Sequence, residues 1–356
     1  MPSQGLPDGF HIKALSSGKV EFRLVSAGKE KAFLQRHANS LSFLISGRRL
    51  RMFRIIRVGP GIVPSNYGPV GKCIYCGAKV YSIEPGIRTE PFGAEHIIPE
   101  GIGGNLELPE SSCQKCEDTT VRLVEGDALG RTLKALRVHL KLKKPGSGPH
   151  PSVLPLTAQV DGRDTTIPDV PVDDYPIAFM LPIYWPPEFT AVATSFGKAM
   201  RGALVANIKV DMKTLWRKYQ ITGFASAYWD NGMLCRMLAK IAHSLAIAEL
   251  GEGTFHPLLL KLICDGDSAG MSLVGCAPEW EKIRRSSALH TIGLGYQRHR
   301  DKTFVVASVR LFANYESPVY RIVIGESLEG PVARSTRVFS NIFSRILGRR
   351  NSRYRA

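Results

Sequence analysis

No stretch of this sequence approaches the roughly 18 continuous apolar residues that a membrane-spanning helix needs. The first residues, Met1-Pro2-Ser3-Gln4-Gly5, lack the cationic start and apolar run of a secretory signal. The expectation is a cytoplasmic protein with no membrane span. Acidic residues are scarce at both ends. Residues 1–51 hold nine Lys/Arg against three Asp/Glu, and residues 334–356 hold seven Arg with no acid. Of the formal charge of +16, only +3 therefore falls on residues 52–333. Basic ends of this kind can follow a phosphate backbone by releasing counterions, without reading sequence. Incidental solubilising tails are the other reading. The apolar fraction of 44% over 356 residues is ordinary for a globular chain of one large or two smaller domains.

Cysteine is limited to seven residues, and their spacing separates them into two kinds. Cys235, Cys264 and Cys276 stand alone in apolar surroundings and read as small buried hydrophobes. Cys73/Cys76 and Cys113/Cys116 form two CxxC pairs, which in a reducing compartment point to metal ligation rather than disulfides. Two such knuckles complete a tetrahedral four-thiolate site of the structural zinc type. Four thiolates close the coordination sphere, so this zinc cannot itself hold an activated water. Any chemistry must come from the loop between the knuckles or from the helix after the second.

That loop contains Glu95-His96-Ile97-Ile98-Pro99, then Gly103-Gly104-Asn105. A CxxC, an acid-His-Ile-Ile-Pro run, a Gly-Gly and a second CxxC opening a helix resemble, over about residues 70–140, the zinc-stapled HNH endonuclease family. The resemblance implies a ββα-metal fold and hydrolysis of phosphodiester bonds in nucleic acid, DNA first. It makes His96 the general base, a role for which an imidazole of near-neutral pKa is suited. It places Glu95 on a catalytic Mg2+ or Mn2+, a hard cation that prefers oxygen ligands, and gives Asn105 the role of orienting the base. The chain departs from the family pattern at three points. Glu95 stands where Asp is usual, Asn105 precedes Cys113 by eight positions, and Glu117 occupies the place of the helix His or Asn. The second ligand to the catalytic ion is thus open among Glu117, Asp118 and Glu125, and Asn105 serves equally well as a turn residue.

The expected fold class is α+β, a small ββα zinc module followed by a larger mixed domain of no family we can name. The divisions expected are a basic N-terminal extension (1–51), the zinc module (52–148), an accessory domain (149–330) and a basic amphipathic tail (331–356). The boundary near 148 rests on the Pro-Gly-Ser-Gly-Pro run at 145–149. The strongest helix runs over about 231–250, with Met233, Met237, Ile241 and Leu245 on one stripe and Gly251 just beyond its end. Lys240 and His243 fall on or near that apolar face, where a satisfied buried histidine is the default reading. Strands are expected at 53–58, 304–311 and 319–324. The accessory domain can select substrate, dimerise the nuclease or bind a partner. Two alternatives to the nuclease stand beside it: a non-catalytic zinc module that binds nucleic acid, and a protein whose cysteines only staple a loop.

Overall fold

The computed structural model describes residues 10–14, 20–24, 51–126, 133–142, 148–187, 189, 200–224, 230–277, 286–315 and 317–328. The basic amphipathic tail expected over 331–356 and most of the basic N-terminal extension lie outside them. In chain order the strands are β1 (Phe10–Ala14), β2 (Val20–Leu24), β3 (Arg51–Val58), β4 (Gly93–His96), β5 (Glu107–Ser112), β6 (Val153–Val160), β7 (Arg163–Pro171), β8 (Ile177–Tyr184) and β9 (Met200–Lys209). They continue with β10 (Ile221–Phe224), β11 (Phe255–Pro257), β12 (Val274–Cys276), β13 (His290–His299), β14 (Lys302–Arg310) and β15 (Tyr320–Ser327). The α-helices are α1 (Gln114–Thr119), α2 (Lys134–His139), α3 (Met212–Tyr219), α4 (Asn231–Leu250) and α5 (Leu260–Asp265). The chain is thus mixed α/β, with few helices and several sheets. None of the described helices is long and apolar enough to cross a membrane.

The largest sheet has the order β11-β15-β14-β13-β3, with β12 also on β15, and all its pairs are antiparallel. β14 and β15 are buried on both faces, from Phe304 to Ala307 and from Tyr320 to Gly325. Their mostly apolar stretches, with Val305-Val306 and Ile322-Val323-Ile324 at the centre rather than an alternating pattern, suit a strand covered on both sides. α4 covers them. Asp230 caps it by accepting from the Met233 amide at 2.9 Å, and Gly251 ends it with φ +81°. The apolar stripe read from the sequence understates its burial, because every residue from Met237 to Ile247 is enclosed.

One apolar core joins Ile56 and Val58 of β3, Ile97, Ile98 and Leu106 around the β4–β5 hairpin, Leu238 and Leu245 of α4, and Val306 and Ile322 of the central sheet. The packing does not break at 148/149, since β3 pairs with β13, setting Ile56 opposite Ile292. Two segments of the N-terminal extension, β1 and β2, form a sheet with β9 and β8 in the order β1-β2-β9-β8. A second, small core lies apart. β6 alternates buried and exposed residues, pointing Leu156 and Ala158 at Val170 of β7, Leu215 of α3 and Ile221 of β10.

Candidate metal centre and active site

The first knuckle folds because Gly77 adopts φ +75°, letting its amide bond the Cys73 carbonyl at 2.9 Å while the Cys73 amide bonds Ala78 O at 2.9 Å. The Ile74 amide donates to Ser111 O at 2.8 Å, which brings this knuckle beside the end of β5. Cys113 and Cys116 follow at the start of α1. All four sulfurs lie within 4.8 Å of one another, and Cys76 Sγ is 3.6 Å from Cys113 Sγ. A tetrahedral zinc with Zn–S near 2.3 Å implies sulfur separations of about 3.8 Å, so the four residues fit that ion. Their protons are held unevenly. The Cys116 thiol and nearby backbone groups lower Cys73 to about 4, burial pushes Cys113 up to about 11, and hydrogen bonding to Cys264 and Cys73 pushes Cys116 far above its ordinary value. Four such crowded sulfurs can all ionise only around a cation, and a divalent metal supplies one. Cys264, at first sight an isolated buried cysteine, in fact lies against Cys116.

Between the knuckles, β4 and β5 pair antiparallel with His96 opposite Glu107, and α1 follows directly. The turn joining the strands explains the spacing of the motif. Ile97 and Ile98 are buried in the core, and the Ile97 amide bonds Leu106 O at 3.0 Å. Gly103 has φ +89°, and a Cβ there would come within 2.8 Å of Leu289. A Cβ on Gly104 would collide with the Ile98 carbonyl. Both glycines are therefore required by the backbone itself. His290 clamps the same turn: the Phe312 amide donates to its Nδ1 at 3.1 Å, leaving Nε2–H to donate to Ile102 O at 2.8 Å. Burial holds its pKa down to about 4.

Alternation along β4 sends Glu95 and His96 to opposite faces. His96 is half-buried, its Nε2 4.0 Å from Glu100 Oε2. Glu95 points inward and is 5% exposed. There it forms an ion pair with Lys240 of α4, itself fully buried, and the same ammonium donates to the His96 carbonyl at 2.7 Å. His243, one turn further along α4, is also fully buried. It donates from Nε2 to Ile74 O at 2.9 Å, and burial lowers its pKa. Tyr75 and Ser244 share a hydrogen bond of 3.3 Å. α4 thus grips both the first knuckle and the hairpin through polar atoms.

No known family model matches this chain. Nor does any curated protein or any solved structure match it. The geometry of the site therefore stands alone. Among the described residues, the four cysteines are the one group of three or more His, Cys, Asp and Glu close enough to hold an ion. The residues expected around a catalytic Mg2+ do not converge. Glu95 is committed to Lys240. Glu117 accepts from Tyr81 O–H at 3.1 Å and its carboxylate lies over Gly93, three residues along β4 from His96. Asp118 is exposed, and the side chain of Glu125 is outside the described residues. Asn105 does not reach His96 either, because its Nδ2 donates to Ile62 O at 2.7 Å and to Gly59 O at 3.2 Å, pinning the loop after β3. As folded, the set does not fit a divalent ion at Glu95. Three residues matter here beyond the expected set: His290, which sequence reasoning passed over, and Lys240 and Cys264, which it noted without assigning them to the site. Only Lys240 left a visible signal, a charge in the middle of an apolar helix.

Proposed function

We propose that this chain is an HNH-type nuclease that hydrolyses phosphodiester bonds of nucleic acid, with His96 as general base and a structural zinc on Cys73, Cys76, Cys113 and Cys116. The observation that carries the reading is the local order of parts. An antiparallel hairpin sits between two converging CxxC knuckles, the second of which opens a helix, and His96 stands half-exposed where its strand ends while the residues beside it are locked into the core. A nuclease base needs that combination of a fixed backbone and an accessible ring. Zinc, when bound, supplies the closure of the knuckles. His96 would take a proton from water aligned with the phosphorus, and Glu100 at 4.0 Å would stabilise the imidazolium so formed. The basic termini would supply affinity for the backbone.

A second reading is favoured by two specific contacts: Lys240 on Glu95, and Asn105 on Gly59 and Ile62. It is a zinc module of the same architecture that binds nucleic acid without cutting it. Nicking of supercoiled plasmid by the zinc-loaded protein, with and without Mg2+ or Mn2+ and beside EDTA controls, separates the two. The nuclease reading expects nicking that His96→Ala lowers by about 100-fold or more. Equal nicking by the two proteins would sink it, and salt-dependent plasmid binding without nicking would establish the second reading.

A further inference from the structure

We infer that Lys240 is the resident cation of this site, filling the position beside Glu95 that a divalent ion would otherwise take. This rests on the geometry around Glu95 and only borrows from the nuclease reading the expectation of an ion there. The ammonium meets the inward-facing Glu95 carboxylate and, at 2.7 Å, the carbonyl of His96. Those are a carboxylate and a backbone oxygen, the donors a hard cation seeks. Here both are satisfied by an amino group that cannot leave. Lys240 sits mid-helix and is itself fully buried, as are its neighbours Leu238, Ala239, Ile241 and Ala242, so the ammonium is held inside the core. A divalent ion arriving at Glu95 would stand against a fixed positive charge in a medium that screens poorly. The carboxylate is therefore neutralised permanently, by one charge rather than an exchangeable two. Through the carbonyl contact, Lys240 also fixes the end of the strand that presents His96, which makes it a positioning residue.

Mn2+ is the probe, because its unpaired electrons broaden nearby imidazole resonances without requiring any activity. The zinc-loaded full chain is titrated with one equivalent of Mn2+ while the His96 ring signals, assigned by their loss in His96→Ala, are followed by NMR. The expected result is unbroadened His96 signals in the wild type. In Lys240→Met, which removes the ammonium from beside Glu95, His96 broadens strongly at the same Mn2+ concentration, and the effect disappears in Lys240→Met/Glu95→Gln. Selective broadening of His96 in the wild type overturns the proposal, as does a folded Lys240→Met that gains no Mn2+ site. Should Lys240→Met fail to fold, the double variant, which removes both charges, serves as the folded control and the wild-type titration decides. The nuclease reading fails independently: a chain that never nicks DNA but keeps Mn2+ away from His96 loses that reading and retains this one.

Discussion

The cysteine-knuckle region, residues 67–142, and the small unit built from β6, β7, β10 and α3 solve the same problem in opposite ways. The small unit is assembled from side chains that alternate along β6, so its core of Leu156, Ala158, Val170, Leu215 and Ile221 follows from local pattern. The knuckle region has strands of only four and six residues, which cannot bury enough surface alone. It is held by four sulfurs and by polar contacts from residues more than 100 positions away: Lys240, His243 and His290. Regular alternation gives stability that is spread out. Long-range clamps concentrate it in a few atoms, which also fixes the strand end where His96 emerges.

Removing the metal should expose this difference most sharply. Cys113→Ser, or a strong zinc chelator, is expected to release one zinc per chain and to abolish amide protection at Ile97, whose bond to Leu106 closes the hairpin. Structural zinc commonly contributes on the order of 10 kcal/mol to the segment it folds, more than a typical domain can lose. Hydrogen exchange read residue by residue checks it. Protection across β6 and β7 should persist, and its equal loss would show that the two regions form one cooperative unit.

The next effect is a pH dependence. His290 is fully enclosed and its pKa is held near 4 by burial, while in the unfolded chain it titrates near 6.5. Because the folded value is the lower one, the unfolded chain takes up the proton first. The stability it contributes is complete above about pH 6.5, is lost as pH falls toward 4, and changes no further below that, amounting to about 3 kcal/mol. Urea unfolding of wild type and His290→Gln at pH 7 and pH 5 measures it: the wild type should lose more stability between the two than the variant. Parallel losses would place the acid sensitivity elsewhere, His243 being the other buried imidazole with a lowered pKa among the described residues.

How much of this was readable in the sequence divides along the same line. α4 was legible to within a residue or so, because Asp230, the apolar spacing and Gly251 are local signals. The convergence of the cysteines followed from CxxC spacing, and the late strands from their Val/Ile runs. Asn105 was read as either an orienting or a turn residue, and its place in a motif said nothing of Gly59 and Ile62, whose carbonyls it holds. Glu95 was read beside His96 along the chain, yet pleating puts them on opposite faces, and the partner that claims Glu95 lies 145 positions away. What the proline-glycine run near 148 could not show is that β3 pairs with β13 and that residues on both sides of it share one apolar core.

The smallest effect offers the finest comparison. Ile97 and Ile221 are both fully buried, one beside His96 and the other in the small unit. Deleting one methylene from each, as Ile97→Val and Ile221→Val, should cost about 1 kcal/mol apiece, since the chemistry removed is the same. Their functional consequences should differ. Ile97 follows His96 directly and its amide closes the hairpin, so slack at that position displaces the imidazole, and small misplacement of a reacting group is expensive in rate. On the proposed nuclease reading, Ile97→Val is expected to lower plasmid nicking several-fold, and Ile221→Val to leave it unchanged at matched loss of stability. Equal nicking by the two variants would mean that the clamps around the hairpin hold His96 without help from the core beneath it, leaving Lys240 and His290 as the elements that set its position.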